Sequence, residues 1–578
     1  MSRSILTFAI LTFAILALTC SVTGAVEPLH QRIDQLIEAK IDGESAPLSD
    51  DAEFFRRLTL DLTGRIPSSQ KTREFLKDTS PDKRRAAIER LLEQPSYAER
   101  MANLFHVTLM ERRGDNPEWD AFLRDCFEQN KPWDQIAREI LKPNPEDETL
   151  RGAAYFYTRR LEKVGQNTTD YSGLTRDVGR LFLGVDLQCA ECHDHLFIDD
   201  YKQHDFQGLF AVYKGVSIRS GKFPAVNEAS MSTKLDFVSV FEEGKVSTGP
   251  RVPFGKEFEI PDPPEVDPAE KKKKPDPNQP PAFSALSLIA NDLTSGDKEL
   301  FRKNIANRLW FSMMGQGLVE PLDQFHSANP PSHPELLDLL ADELASHNFD
   351  IKWMVRELAL TKTWQRSSRM ASADKLPPRN SYRLGLQRRL TADQLFASVL
   401  QATGNLDRLL ERSKAFNAKK DSEKTDSENK DAETKDAAAE EPAVDEYKEL
   451  QALFLTAFGS EPKEPAIDYA PAVKQALFLL NDSKVLDLLK PHSGNLIDRL
   501  AKMPNTSVAD ELYLSIFCRL PDEEERAMIN EYLAETSAAN DDNENKSKEQ
   551  SAENSPRTTA LSQLAWAMLT SMEFCVNH

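Results

Sequence analysis

The stretch Asp177-Val-Gly-Arg-Leu-Phe-Leu-Gly-Val-Asp-Leu187-Gln188-Cys189-Ala-Glu-Cys192-His193-Asp194-His195, resumed at Tyr201-Lys-Gln-His-Asp-Phe-Gln-Gly-Leu-Phe-Ala-Val-Tyr213, decides the fold class. Val178, Leu181, Phe182 and Val185 recur every three or four residues, as do Phe206, Leu209, Phe210 and Tyr213, so each flank predicts an amphipathic helix with one face in a core. Two cysteines and two histidines therefore stand in a loop between helices. The same period recurs outward along the chain. Ser80-Pro81 is expected to cap a helix carrying Ile88, Leu91 and Leu92. Ser96-x-x-Glu99 and Ser332-His333-Pro334-Glu335 read as capping boxes, the second ahead of Leu336, Leu339, Leu340 and Leu344. The fold class is mainly α.

Two helical domains are expected, residues 27–215 with the cysteine motif and residues 283–578. Between them, Leu235-Asp-Phe-Val-Ser-Val-Phe and Lys256-Glu-Phe-Glu-Ile alternate apolar and polar side chains, which predicts a small β-rich insert over 216–260. Residues 261–282 follow as an extended linker, with eight prolines between Pro261 and Pro281 around Lys271–Lys274. Within the second domain, residues 417–446 hold 11 acidic and 5 basic side chains and no aromatic before Tyr447, and residues 537–557 are similar. Such stretches bury too little apolar surface to offset chain entropy, so both are expected to be disordered acidic insertions.

Met1-Ser-Arg3 precedes an apolar run from Ile5 to Leu18 and then Thr23-Gly24-Ala25, the pattern of a signal peptide over residues 1–25. The run is shorter than the roughly 20 residues that cross a bilayer, and no later segment is long and apolar enough, so no transmembrane span is expected in the mature chain. Cys20 ends the run, but Leu18-Thr19 departs from the small-residue pattern before a lipidated cysteine. The expected location is the periplasm or cell envelope. A formal charge of −21 excludes a general nucleic-acid binder, which needs a basic surface to neutralise phosphates. Six cysteines, unevenly spread, make no disulfide scaffold; Cys126 reads as a core residue, and a bridge between Cys518 and Cys575 is left open.

Cys189-x-x-Cys192-His193 is the spacing that attaches c-type haem: two thiols meet two vinyl groups and the next histidine ligates iron. His195, two positions on, points away from an iron bound by His193. A sixth ligand would come from elsewhere, with His204, Met231, His106 and Tyr201 as candidates. Three other readings stay open. Cys189, Cys192, His193 and His195 could hold zinc or iron without haem, with Asp194, Asp199 and Asp200 orienting the imidazoles. The pair could be a redox dithiol, although no strand precedes it, or a structural disulfide. The functional expectations are a haem-binding electron-transfer protein with a redox or envelope protein partner, or an envelope interaction protein pinned by a metal or disulfide. No phosphate loop, His-Glu-x-x-His helix or Gly-x-Ser-x-Gly elbow marks an enzyme.

The run Phe54-Phe-Arg56-Arg57-Leu-Thr-Leu-Asp61-Leu-Thr-Gly-Arg-Ile-Pro67, together with Gln188–His195, resembles a planctomycete family of exported, cytochrome-like proteins. Asn307-Arg308-Leu-Trp310, Gly315–Val319, Pro331–Leu337 and Leu564–Phe574 resemble the helical domain that accompanies it. The resemblance implies thioether positions at Cys189 and Cys192 and an axial ligand at His193, and no established activity. Leu196 departs from the proline common at that place in the family. The additional cytochrome domain of some relatives is absent from the sequence.

Overall fold

The computed structural model of the chain describes residues 27–163, 165–166, 168–241, 243–262, 278–370, 376–428, 445–460, 473–541 and 555–578. The expected signal peptide lies outside these, as do 263–277 of the linker, 429–444 of the first acidic stretch and 542–554 of the second.

The described chain is mainly helical, with three two-stranded antiparallel sheets. The helices expected from periodicity form, but their starts are corrected. The one containing Ile88 runs Lys83–Leu92 and begins after a turn in which Lys83 N donates to Ser80 O, so Ser80 is not its cap. The next is Pro95–Met110, and Ser96 lies inside it. The third is Pro334–Ser346, capped by no side chain. In the last two a proline occupies the first helical position, where its missing N–H and fixed φ suit the first turn, and this shifts the start away from the serine. At the edges of the acidic stretches the described residues are helical, in Leu406–Glu428 and Glu523–Asp541, and the rest of each expected disordered stretch up to 444 and 554 lies outside the described residues. Straight-chain Lys and Glu are good helix formers, so high charge alone does not stop a helix that a packed first half has nucleated.

The insert holds two hairpins, Val216–Ile218 with Val226–Glu228 and Leu235–Val238 with Lys245–Thr248. Lys256–Ile260 forms no strand; Phe258 N donates to Pro250 O instead.

Apolar packing divides the chain elsewhere than at the linker. One core runs from Leu29 to Tyr382 and joins the N-terminal helices to Ala285–Leu293, Glu299–Met314, Pro334–Ser346 and Ile351–Leu360. Trp133 is stacked against Phe182 at 6.2 Å and against Phe301 at 6.4 Å, one ring from each side of the linker. A second core gathers residues from Leu390 to Phe574 and takes in Leu60 and Ile66.

The run Phe54–Pro67 joins the two cores. Its helix is Asp51–Thr63, capped by Asp50 and ended by Gly64 at φ 73°. Arg56 and Arg57 are buried and spend most of their donors on main-chain carbonyls, with Arg57 Nη2 also paired to Glu53 at 2.6 Å. Arg56 reaches Ile516, Phe574 and Val576, and Arg57 reaches Trp364, Arg366 and His578. Asp61 accepts from Trp364 Nε1 at 3.2 Å, from Arg388 Nη2 at 2.8 Å and from Asn577 Nδ2 at 2.8 Å. Arg388 and Asn577 are paired across the third sheet, Arg388–Arg389 with Val576–Asn577. One helix thus holds the first core, the strand that leads into the second and the strand that ends it.

Candidate functional site

The helix Tyr171–Val178 continues into a single wide turn, Gly179–Leu183, and stops at Gly184 with φ 72°. Such a turn leaves carbonyls short of partners, and the helix Glu299–Met314 supplies them: Asn304 Nδ2 donates to Leu181 O at 2.8 Å and Arg308 Nη2 to Arg180 O at 3.0 Å. Gly184 is required twice over. A Cβ there would sit 2.7 Å from the Phe325 ring, and its φ is left-handed. Phe325 N donates to Gly184 O at 2.9 Å, so residues 324–327 close against the entry to the cysteine loop.

Below this helix end, Asp177 is nearly buried between Arg160 at 2.7 Å, Arg113 at 2.9 Å and Arg180 at 3.0 Å. Burial raises its carboxyl, but the three guanidiniums outweigh that and hold it at about 2.

Within the loop, Ala190 is fully buried while Cys189 and Cys192 are exposed, unbonded thiols. Glu191 points back to the preceding helix, accepting from Ser172 Oγ at 2.7 Å and Arg176 Nη1 at 3.0 Å. Its carbonyl accepts Gln207 Nε2 at 2.7 Å, with Gln203 Nε2 at 3.5 Å; both glutamines are buried on one face of the helix Gln203–Tyr213. Ala190 and Glu191 therefore fix the loop from inside and leave both thiols facing out.

The two histidines differ in what their nitrogens meet. His193 Nδ1 lies 2.6 Å from Asp194 O. A carbonyl only accepts, so Nδ1 carries the proton and Nε2 presents a lone pair. His195 Nδ1 accepts from Phe197 N at 3.1 Å and Ile198 N at 3.0 Å, which places its proton on Nε2. His193 thus has Nδ1 engaged and Nε2 open. His195 has its lone pair engaged by its own turn.

Two of the three carboxylates expected to orient the imidazoles, Asp194 and Asp200, have other partners. Asp194 accepts from Gln203 N at 2.8 Å and pairs with Lys202 at 3.2 Å; burial raises its pKa, and these two partners bring it below the usual range. Asp200 accepts from Ser327 N at 2.7 Å and Ser327 Oγ at 2.5 Å, which lowers its pKa and ties the loop to the second half of the chain. Among the described residues no three His, Cys, Asp or Glu side chains are gathered closely enough to hold a metal ion. The four-donor set Cys189, Cys192, His193 and His195 is therefore not assembled, nor are three of its members, and His195 is turned into its own loop.

The candidate sixth ligands are mostly engaged elsewhere. Tyr201 is buried and donates to Phe325 O at 3.1 Å. His106 Nδ1 accepts from Trp119 Nε1 at 3.0 Å, with Asp115 at 3.3 Å from its other nitrogen. His204 lies 3.5 Å from Asp205, and Met231 is half-buried against the core. Sequence reasoning missed His326, whose ring is 5.6 Å from that of Tyr201, and also missed Gln203, Gln207 and Phe241. The four-residue spacing of the two glutamines beside an apolar stripe was the one available signal.

Phe241, next to the second hairpin, sets its ring edge-on to His193 at 5.0 Å. Around the loop and hairpin, large apolar side chains stand in solvent: Leu196 at 62 %, Phe197 at 86 %, Val238 at 64 %, Val240 at 66 % and Phe241 at 64 % exposed. This tests the fit of a haem on the chain's own residues. Outward thiols, an imidazole with a preset Nε2 and the Phe241 ring beside it, with further exposed apolar side chains on the same loop and hairpin, suit a flat apolar group carrying a metal. A separate polar groove lined by Arg408, Arg412, Glu446, Asp487 and Lys490 is occupied by its own ion pairs, Arg412 to Glu446 at 3.1 Å and Lys490 to Asp487 at 2.6 Å.

No helix among the described residues is long and apolar enough to cross a membrane. No curated protein and no solved structure matches the chain. Residues 32–217 match the family model described as "PSCyt2: Protein of unknown function (DUF1549)" and residues 287–533 the one described as "PSD1: Protein of unknown function (DUF1553)", so two segments of the chain are each similar to a family of unknown function, and the cysteine loop lies in the first segment.

Proposed function

We propose that this is an exported protein that carries one covalent c-type haem at Cys189, Cys192 and His193 and passes single electrons to an envelope partner. The observation that carries the reading is the contrast between the two histidines. His193 donates Nδ1–H to a main-chain carbonyl, the support that ligating histidines ordinarily have, and leaves Nε2 open. His195 is not so arranged. Both thiols face outward from a loop held by Ala190 and Glu191. Each thiol would add S–H across a vinyl double bond, sulfur to one carbon and hydrogen to the other, with no oxidant and no leaving group. When bound, the iron supplies reversible one-electron chemistry. The chain's part is to hold the imidazole, tether the ring and shield it from water. Export rests on the apolar run after Arg3.

The test is to purify the protein from its native host, denature it and measure haem that stays with the polypeptide by absorbance. One haem per chain is expected, falling to none in Cys189→Ala/Cys192→Ala. A haem-free polypeptide from a host with working maturation, or stoichiometric zinc without iron, would overturn the reading.

A further inference from the structure

We infer that the hairpin Leu235–Thr248 is the second wall of this cofactor site and that Phe241 is a positioning residue for the His193 imidazole, an inference that rests on the haem reading above. The strand Leu235–Val238 alternates half-buried and exposed residues, with Leu235 and Phe237 inward. On a hairpin with one face to water the outward positions are ordinarily polar. Here Val238 and Val240 face out, and Phe241 follows them, all about two-thirds exposed. Their side chains make sense against an apolar occupant and not against water. The occupant follows from the donors of the loop to which the hairpin is joined, two exposed thiols and the His193 imidazole that Phe241 touches.

The hairpin is joined to the cysteine loop at two points. Phe241 meets the His193 ring edge-on, with the ring planes at 62°. Gln203 Nε2 donates to Val238 O at 3.2 Å and also reaches the Glu191 carbonyl within the Cys-x-x-Cys turn. A two-stranded hairpin is marginal by itself in water, so these contacts and its packing on the helix Gln203–Tyr213 set where it lies. The His193 imidazole is then held at two edges, by the Asp194 carbonyl on Nδ1 and by the Phe241 ring, which together restrict rotation about its side-chain bonds and aim Nε2. The same ring would shield a haem held by His193 from water, and a drier site disfavours the more highly charged oxidised state.

The experiment compares wild type with Phe241→Ala, Phe241→Leu and Val240→Ser as full chains from the native host. Covalent haem per chain, reduction potential and hydrogen exchange of residues 235–248 are measured, the last also in Cys189→Ala/Cys192→Ala. Expected results are near-normal attachment in every Phe241 and Val240 variant, a lower potential in Phe241→Ala, and substantial recovery in Phe241→Leu. Val240→Ser should give a smaller shift of the same sign. Hairpin exchange should be at least tenfold slower in the haem-loaded protein than in the double cysteine variant. A Phe241→Ala protein with wild-type potential, or hairpin exchange indifferent to haem, overturns the role of the hairpin while leaving the haem site standing. A wild-type protein without covalent haem overturns both.

Discussion

Replacing Asp61 by Ala removes the acceptor on which three distant segments converge. Its side chain is 3 % exposed and that of Arg388 is 21 % exposed, so the pair is largely withdrawn from water. Deleting one member of a buried ion pair costs about 3–5 kcal/mol, because the other charge is left behind, and the partial exposure of Arg388 places its share near the lower end. Trp364 Nε1 and Asn577 Nδ2 also lose their acceptor, at about 1 kcal/mol or more each. These losses overlap because the three donors share one carboxylate, so a total of about 3–5 kcal/mol is expected. Asp61→Asn, which keeps the shape and one acceptor oxygen, should lose less. Guanidinium titrations followed by far-UV circular dichroism and by tryptophan fluorescence measure it. Asp61 ties the core containing Trp364 to the strand leading into the second core, so the two signals should separate in Asp61→Ala while coinciding more closely in wild type. In the double variant Asp61→Ala/Arg388→Met, the arginine change should cost clearly less than it does alone. A destabilisation within about 0.5 kcal/mol, the range of ordinary surface substitutions, or strict additivity with Arg388→Met, would refute the assignment of Asp61 as the joint.

Other outcomes follow from the same contacts. Asp177, held at about 2 by Arg160, Arg113 and Arg180 against its burial, has a folded pKa below the ordinary 3.8. The stability it contributes is fully present above pH of about 4 and is lost as pH falls through about 2. Wild type should lose about 2 kcal/mol more than Asp177→Asn over that window, read from denaturation midpoints, and parallel pH profiles would contradict it. In haem-free protein an alkylating reagent should modify Cys189 and Cys192 first. Cys126 should resist until unfolding, since burial pushes its thiol up to about 12, and peptide mass spectrometry showing Cys126 labelled as fast would count against the structure. Gln207→Leu removes the 2.7 Å donor from the Glu191 carbonyl and leaves it only the longer 3.5 Å contact from Gln203 Nε2, a loss of about 1–2 kcal/mol. Hydrogen exchange across residues 188–195 should speed up by roughly tenfold or more, and unchanged exchange would show that the loop is held otherwise.

The helices were legible because their apolar faces repeat over many residues, and a core face must be apolar whatever packs on it. Their starts were less so. Ser96 and Ser332 offered reasonable caps, yet Pro95 and Pro334 took the first helical positions, a competition between two good starting signals that only the surrounding packing resolves. The strand expected at Lys256–Ile260 had the right alternation but found no partner, since pairing is a property of two segments and alternation of one. The joining role of Phe54–Pro67 could not be read from its residues. Arg56, Arg57 and Asp61 look like the polar face of an amphipathic helix until the segments 364–366, 388 and 574–578 are brought against them. Buried arginines spent on main-chain carbonyls leave no complementary signal in the partner sequence, because every residue has a carbonyl.

The cysteine loop shows the same division on a smaller scale. Spacing alone identifies Cys189, Cys192 and His193 as a set, and places His195 on another side of the chain. It does not say which nitrogen of either ring carries the proton. That follows from the turn at 195–198, whose two N–H groups need an acceptor, and from Asp194, whose carbonyl is turned toward His193 while its carboxylate meets Gln203 N at the start of the next helix. Both conditions depend on where Gln203–Tyr213 begins, and that helix is placed in turn by Gln203 and Gln207 reaching back to Glu191. The open Nε2 of His193 is therefore a consequence of how the loop is closed. A substitution that moved the helix start by one residue would alter it without touching a cysteine or a histidine.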